Sequence, residues 1–457
     1  MAKHSRFIQL FLYALILLCT FQRPQALRAE DWAQFLGPTA DSKSSETGLI
    51  APWPERGPEI VWARRLSEGY SIGSVAQGKY FQFDFDNGKA VLDCLDAKTG
   101  KEIWRFEYPS VYRDLLGYNS GPRTSPVIDD DRVYIFGVEG MLHCLRISDG
   151  EPIWSANVNK QFNVVQNFFG VGSTPVVFHD RLIVSVGGSP KEDLSLPPGW
   201  LDRVSGDGSG IVAFDKRTGE VRYKITDELA SYSSPRITTL NGRPWCFVFA
   251  RGGLVGFDPR NGKVDFQYPW RATIRDSVNA SNPVVVGDEV FISETYGPGS
   301  SLLKFREGGF DVVRKDDIKR RHKAMQTHWN TAIHHEGYLY GSSGRHERNA
   351  ELRCIDWKTG EVKWSEPGLT RSSLLYVDKH FVCLSEDGTL RLLRVNPEKY
   401  EVVSKVVYRE ADLLKSRDGR EFSPRLLKPP AWAAPILSNG LMYVRGEDYL
   451  VCLKVLE

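Results

Sequence analysis

Apolar and polar residues alternate with a period of two through most of this chain, in short runs broken by Gly, Asp and Asn. Such alternation predicts strands with one buried face. Five segments share one frame: LDCLDAKTGKEIW (92–104), LHCLRISDGEPIW (142–154), IVAFDKRTGEVRY (211–223), LVGFDPRNGKVDF (254–266) and LRCIDWKTGEVKW (352–364). Each is a strand, an Asp-x-x-Thr-Gly turn or a variant of it, and a second strand closing on an aromatic residue. Asp bonds the local backbone in such a turn, and Gly supplies a positive φ that a Cβ resists. The frame therefore predicts a hairpin.

A second two-strand signal precedes the hairpins. SPVIDDDRVYIFG (125–137), TPVVFHDRLIVSVG (174–187), NPVVVGDEVFISE (282–294) and APILSNGLMYVRG (434–446) each pair a Ser/Thr/Asn/Ala-Pro start with two β-rich runs around a polar turn. Pro at a strand start costs no ladder bond if it sits at the sheet end. Weaker copies lie at 233–250, 302–313, 330–341 and 372–395. The closing positions are Trp62, Trp104, Trp154, Tyr223, Phe266, a residue near Val312, Trp364 and a residue near Val402. They are spaced 42, 50, 69, 43, 46, 52 and 38 residues apart. Four strands repeating at that period predict a β-propeller. The last unit, 434–455, has three strands, and the first closing strand, 59–66, has no predecessors. Joining them closes the ring and removes an open sheet edge. The expected fold is all-β: an eight-bladed propeller of four-stranded antiparallel blades, with the N-terminal strand completing the last blade. The expected domains are 1–29 as a signal peptide, 30–58 as an extension leading into the ring, and 59–457 as one propeller carrying an insert loop at 187–210.

Composition bears on function mainly by exclusion. The chain has 457 residues, 41% hydrophobic and 25% charged, which is ordinary for a globular protein. Net charge is +2, a balance that gives no electrostatic argument for nucleic acid, which wants a basic face. Lys3, His4 and Arg6 precede an apolar run from Phe7 to Phe21, followed by Ala26-Leu-Arg-Ala29. This is the order of a secretory signal peptide, and the run is short for a bilayer span. Leu18 stands before Cys19 where a lipoprotein signal has a small residue. Cleavage after Ala29 leaves 55 basic against 57 acidic side chains, a net of −2. The expectation is an exported, periplasmic or extracellular protein, envelope-associated, with no transmembrane span after signal removal.

Cys94, Cys144, Cys354 and Cys452 occupy one frame position, held by Ala213 and Gly256 in sister repeats. A slot that takes Ala, Gly and Cys is a small packed position, where free Cys acts as a small hydrophobe. Equivalent slots of different blades are too far apart for a disulfide, so none is expected among these four. Cys246 and Cys383 fall on other strands and stay open. There is no CxxC pair, and a metal site is not expected. The closing Trp residues read as wedges between blades.

The strand–Asp-x-x-Thr-Gly–strand–Trp frame resembles the PQQ-type (pyrroloquinoline quinone) propeller repeat. That repeat is shared by quinoprotein alcohol dehydrogenases and the outer-membrane assembly factor BamB. The resemblance runs from about Asp31 to Val455. The opening DWAQFLGP (31–38) and the insert-bearing third blade are closest to exported bacterial BamB-like proteins. For a dehydrogenase the resemblance implies PQQ and Ca²⁺, with a vicinal Cys-Cys disulfide against the cofactor; this sequence has no adjacent cysteines and no CxxCH. The reading is thus a non-catalytic binding or protein-interaction scaffold without a cofactor and with no catalytic residue nominated. It is expected to be a monomer whose partner is another envelope protein or a small polar ligand. The alternative is a PQQ/Ca²⁺-dependent dehydrogenase of alcohols or sugars.

Function in a propeller resides in side chains grafted around the channel. Segments just before the innermost strands should converge at one mouth, bringing Arg123, Asn279, His328, Trp329, Asn330, Arg371 and Trp432 together with Tyr70, Tyr232 and Asn282. Arg123, Arg371, Trp329 and Asn330 suggest a polar-aromatic funnel for an anionic or carbohydrate-like ligand; the alternative is that the arginines pair with acidic neighbours. His334 and His335 point to opposite faces of a strand. Trp200, in the Pro/Gly-rich insert, is an aromatic of the kind that anchors interfaces.

Overall fold

The computed structural model describes residues 30–413 and 422–457. The expected signal peptide and Cys19 lie outside the described residues. Within them the strands form eight four-stranded antiparallel sheets. Seven are built in chain order: 74–109, 127–157, 176–225, 236–269, 284–315, 333–367 and 372–406. The eighth joins Ile436–Ser438, Leu441–Arg445 and Tyr449–Lys454 to the first strand, Glu59–Arg65. The ring has eight blades and closes through its two chain ends, as counting strands at the ends required.

The repeat frame becomes intelligible in the seams. Asp96 Oδ1 accepts from the backbone N–H of Lys98 (3.2 Å) and Thr99 (2.8 Å), which fixes the turn. Asp215 and Asp356 do the same in their blades. The closing aromatic of the preceding blade docks on this turn. Nε1–H of Trp62, Trp104, Trp154 and Trp364 donates to the carbonyl oxygens of Ala97 (3.0 Å), Ile147 (3.1 Å), Lys216 (3.1 Å) and Asn396 (2.9 Å). The Tyr223 hydroxyl donates to Pro259 O (3.0 Å). Each ring therefore buries apolar surface and satisfies its polar atom at once. Opposite each ring, on the neighbouring strand, stands the small slot: Cys94 faces Trp104, Cys144 Trp154, Ala213 Tyr223, Gly256 Phe266, Cys354 Trp364 and Cys452 Trp62. All six described cysteines are free and buried.

Two closing positions differ from the sequence reading. Val312 and Val402 lie on outermost strands but are exposed. In the fifth blade Arg314, two residues on, donates from Nε to Trp357 O (3.1 Å) and takes the place of the ring. After the seventh blade there is no hairpin turn to dock on, because the strands there come from opposite ends of the chain. Gly57 and Pro58 fill that seat, and the Tyr408 hydroxyl donates to Pro58 O (2.7 Å).

Gly100 shows how tightly the seam is built. Its φ is +68°, and a Cβ there would meet Trp62 Cδ2 at 2.7 Å. Left-handed backbone costs an L-residue about 1–2 kcal/mol before any clash. Gly100→Ala is expected to destabilise the chain by about 2 kcal/mol or more, read as a lower urea midpoint at unchanged m-value.

The Ser/Thr/Asn-Pro starts form a polar belt around the channel. Thr174 Oγ1 accepts from Ser125 N (3.0 Å), Ser234 Oγ from Thr174 N (2.9 Å), Asn282 Oδ1 from Ser234 N (2.9 Å) and Thr331 Oγ1 from Asn282 N (3.1 Å). Each of these side chains, three of them just before a proline and Thr331 before Ala332, thus satisfies the backbone of the blade before it. Between belt and seams lie inter-blade apolar layers; Phe81, Phe83 and Leu92 of the first blade pack with Val133, Ile135 and Leu145 of the second.

Residues 30–58 do more than lead into the ring. They cross its lower face, the one carrying the Asp-x-x-Thr-Gly turns. Trp32 pairs with Val75, Ile128 N donates to Ala33 O (2.8 Å), Lys43 pairs with Tyr376, and Leu49 with Leu456. Glu46 accepts from the backbone of Asn439 and Gly440 (2.7 Å each). Trp32 is buried at 1% exposure, beneath Gly37. This strap ties blades one, two, seven and eight together and places Phe35, Leu36 and Ser42 at the foot of the channel.

Candidate functional site

At the upper face, the segments entering the innermost strands converge on an axial cavity of about 190 Å³. Arg123, His328, Trp329, Asn330, Arg371 and Trp432 line it, with Tyr70 and Tyr232. The eight starts are brought together because each blade presents the same strand end to the axis.

The cup is aromatic. Trp432 lies 4.6 Å from Tyr70, 4.9 Å from Trp329 and 5.5 Å from Tyr118, centroid to centroid. Phe169 bridges Tyr118 (5.7 Å) and Tyr232 (5.5 Å). Tyr118 and Phe169 sit in loops without a repeat signature, so the sequence reading missed them. Their aromatic character was the only signal available.

The arginines are not free charges. Arg123 pairs with Asp114 (2.8 Å) and lies over the rings of Tyr70 and Phe169. Arg371 forks onto Glu386, with Nε to Oε2 at 2.7 Å, and stacks 4.2 Å above Trp329. Trp432 Nε1 donates to Glu386 Oε1 (2.7 Å). Of the two alternatives weighed from the sequence, pairing with acidic neighbours is what the geometry contains. The guanidinium planes stiffen the ring faces that line the cup.

His328 Nε2 lies 3.1 Å from the Tyr296 hydroxyl, and its Nδ1 has no partner. Burial, then Arg371 and Arg345, pull its pKa down to about 3. The ring is neutral inside the cup. A lowered imidazole pKa withdraws stability as pH falls from the ordinary value near 6.5 towards 3.

Glu294 behaves oppositely. It is buried, accepts from Tyr296 N at Oε2 (2.7 Å), and leaves Oε1 unpartnered. Burial pushes its pKa up to about 7. Between the unfolded value of about 4.5 and about 7, the folded chain holds a proton that the unfolded chain has lost. Stability therefore declines as pH rises through that window. Glu294→Gln is expected to match the parent below about pH 4 and to be the more stable above about pH 7, checked by urea unfolding across pH.

Asn279 does not face the cup. It is buried, and its Nδ2 donates to Ala250 O (2.8 Å). Asn330 lines the cavity but spends its amide on Ser342 O (3.0 Å) and the His328 N–H (3.2 Å). Asn282 belongs to the belt. His334 packs on Trp357 and His335 on Tyr376, and neither lines the cavity that His328 lines. Among the described residues no group of His, Cys, Asp or Glu is arranged to hold a metal.

Trp200 stands on the insert, outside the cavity, with Arg203 4.8 Å and Arg275 5.8 Å from its ring. The insert is pinned by Asp202, which pairs with Arg251 (2.8 Å) and Arg271 (2.5 Å). Gly199 lies against Phe168 and Leu115. An exposed apolar ridge of Leu115, Leu116, Tyr118 and Trp200 thereby runs outward from the cup.

Fold and site together define an eight-bladed PQQ-type-repeat propeller with an axial aromatic cup. The profile of the family described as outer membrane protein assembly factor BamB matches residues 88–366, and the chain belongs to that family. It is 24% identical over 304 residues to the outer membrane protein assembly factor BamB of Burkholderia pseudomallei, covering 61% of this chain and 76% of that protein. The fold is similar to BamB from Moraxella catarrhalis, with a TM-score of 0.55 and 13% identity over 86% of this chain and 97% of that one. It is also similar to quinohemoprotein alcohol dehydrogenase from Comamonas testosteroni, with a TM-score of 0.62 and 12% identity over 94% and 81%. Among the described residues no helix is long and apolar enough to cross a membrane.

Proposed function

We propose that this chain is an exported, non-catalytic propeller that holds a protein partner in the cell envelope, as the name of its Burkholderia relative suggests for that protein. The observation that carries this reading is the axial cup: ring faces line it, its two arginines are neutralised by Asp114 and Glu386, and the apolar ridge continues from it. A desolvated aromatic pocket with a solvated rim accepts an apolar anchor from a partner chain.

The dehydrogenase alternative asks for PQQ and Ca²⁺. Ca²⁺ takes six to eight oxygen ligands, carboxylates prominent among them. No Asp or Glu lines the cavity among the described residues, and the carboxylates behind it are occupied, Asp114 by Arg123 and Glu386 by Arg371 and Trp432. The donor set does not fit the ion.

The test is affinity purification of the tagged chain from the exported fraction, with Leu116→Asp as the comparison. Parent protein is expected to retain an outer-membrane β-barrel protein or another envelope component that the variant loses. Equal recovery by both would refute the ridge as the binding surface. Retention of PQQ absorbance after desalting in Ca²⁺ would refute the non-catalytic reading.

A further inference from the structure

The lower face holds a groove of about 400 Å³ between the strap and the innermost strands of the third, fourth and fifth blades. Arg236, the first residue of the strand Arg236–Leu240, lines it. Among the described residues its guanidinium has no ion pair and no hydrogen bond, and its Nε is shut away from solvent without a partner. Burial pulls its pKa down, and the one charge acting in the other direction is Asp41. That carboxylate is already held by Lys43 (3.3 Å) and the Thr39 hydroxyl (2.5 Å). By contrast, Arg251, Arg371 and Arg445 are ion-paired, with Asp202, Glu386 and Asp84, and Arg391 and Arg314 have hydrogen-bond acceptors, Ser385 Oγ and Trp357 O. A guanidinium does not shed its proton in proteins, so the half-buried Arg236 carries a charge without an ion-pair partner.

A second donor lies in the same groove. Asn282 Oδ1 accepts from Ser234 N (2.9 Å) and the Ser233 hydroxyl (3.4 Å), which fixes the orientation of its amide. Its Nδ2 has no partner among the described residues. The opposite wall is Pro38, Thr39 and Ala40 of the strap.

We propose that this groove is an oxyanion site, in which the Arg236 fork takes a carboxylate or phosphate group and the Asn282 amide donates a further bond. The planar fork matches either group. The groove is larger than a bare inorganic ion, so the oxyanion belongs to a larger small-molecule ligand. The site is separate from the aromatic cup; Phe35 of the strap lines both.

The test titrates the purified chain with sodium phosphate and, separately, sodium acetate, against chloride of matched ionic strength. Binding is read by calorimetry and thermal melting. One-site heat and a rise in Tm are expected for the parent and absent in Arg236→Gln, because ligand bound only to the folded state stabilises it. Without anion, Arg236→Gln is expected to melt at or above the parent, since it removes an unpaired, half-buried charge; this also shows that it folds. Arg236→Lys keeps the charge without the fork and is expected to bind more weakly. A response to phosphate alone identifies a phosphorylated ligand, to acetate alone a carboxylate ligand, and to both a site open to either. No response beyond chloride, an equal response in Arg236→Gln, or a strong loss of stability in Arg236→Gln without anion overturns the proposal.

Discussion

Arg445→Ala is expected to destabilise the ring by about 3–5 kcal/mol, the typical cost of stranding one partner of a buried ion pair. Arg445, in the eighth blade, reaches across the closing seam to Asp84 in the first, with Nη1 2.6 Å from Oδ1. Both side chains are almost wholly buried, at 4% and 8% exposure. The same guanidinium donates to Ser71 O (3.3 Å) and Ser67 O (3.4 Å), and Gln82 Nε2 donates to Asp84 (3.2 Å). Burial raises the Asp84 pKa, and Arg445 is the main influence opposing it. Without Arg445 the carboxylate is left desolvated, so the deficit of the variant should shrink on acidification as Asp84 takes up a proton. The double variant Arg445→Met, Asp84→Leu should recover most of the loss, because apolar replacements leave no charge to strand. Urea unfolding of the two variants decides the matter. A deficit below about 1 kcal/mol for Arg445→Ala would mean that the seam is held elsewhere.

Trp432→Ala is expected to weaken partner binding by about 2–4 kcal/mol, roughly 30- to 1000-fold. Its indole is the hub of the cup, touching Tyr70, Tyr118 and Trp329, and its N–H is anchored on Glu386. Truncation removes a wall and also frees the carboxylate that fixes Arg371. Trp432→Phe keeps a ring and loses the anchor, and it should fall between the two. Trp200→Ala, farther out on the ridge and open to solvent, should cost less than Trp432→Ala. Quantitative recovery of the partner in affinity purification separates these ranks. Equal recovery by Trp432→Ala and the parent would remove the cup from the binding surface.

Which parts of this molecule were legible beforehand follows the range of the forces involved. The Asp-x-x-Thr-Gly turn is a local object: Asp96 bonds residues two and three positions on, so five residues specify it. The small slot was legible because Cys94, Cys144, Cys354 and Cys452 recur in frame with Ala213 and Gly256. Its cause was not, since the facing Trp is set by strand register. Nor could the frame show that Arg314 and Tyr408 replace the closing aromatic, because each answers to a particular partner, Trp357 O or Pro58 O, in another part of the chain.

The candidate site divides in the same way. Arg123, Trp329, Arg371 and Trp432 were found because propeller topology sends every innermost strand end to the axis. Asn279 obeys that topology yet turns inward to bond Ala250, and nothing local in the sequence distinguishes it. The neutralising partners Asp114 and Glu386 were equally hidden, since ion pairing depends on which side chains meet in space.

The sequence by itself determined eight blades, their turns and the closure of the ring through both chain ends, because alternation, turn chemistry and strand count are properties of contiguous residues. Only the tertiary structure decided that the strap crosses the lower face, that the cup's arginines are spent, and that Arg236 is left without a counter-charge. Those facts rest on desolvation and on contacts between side chains far apart in the chain, and burial is a property of the whole assembled ring.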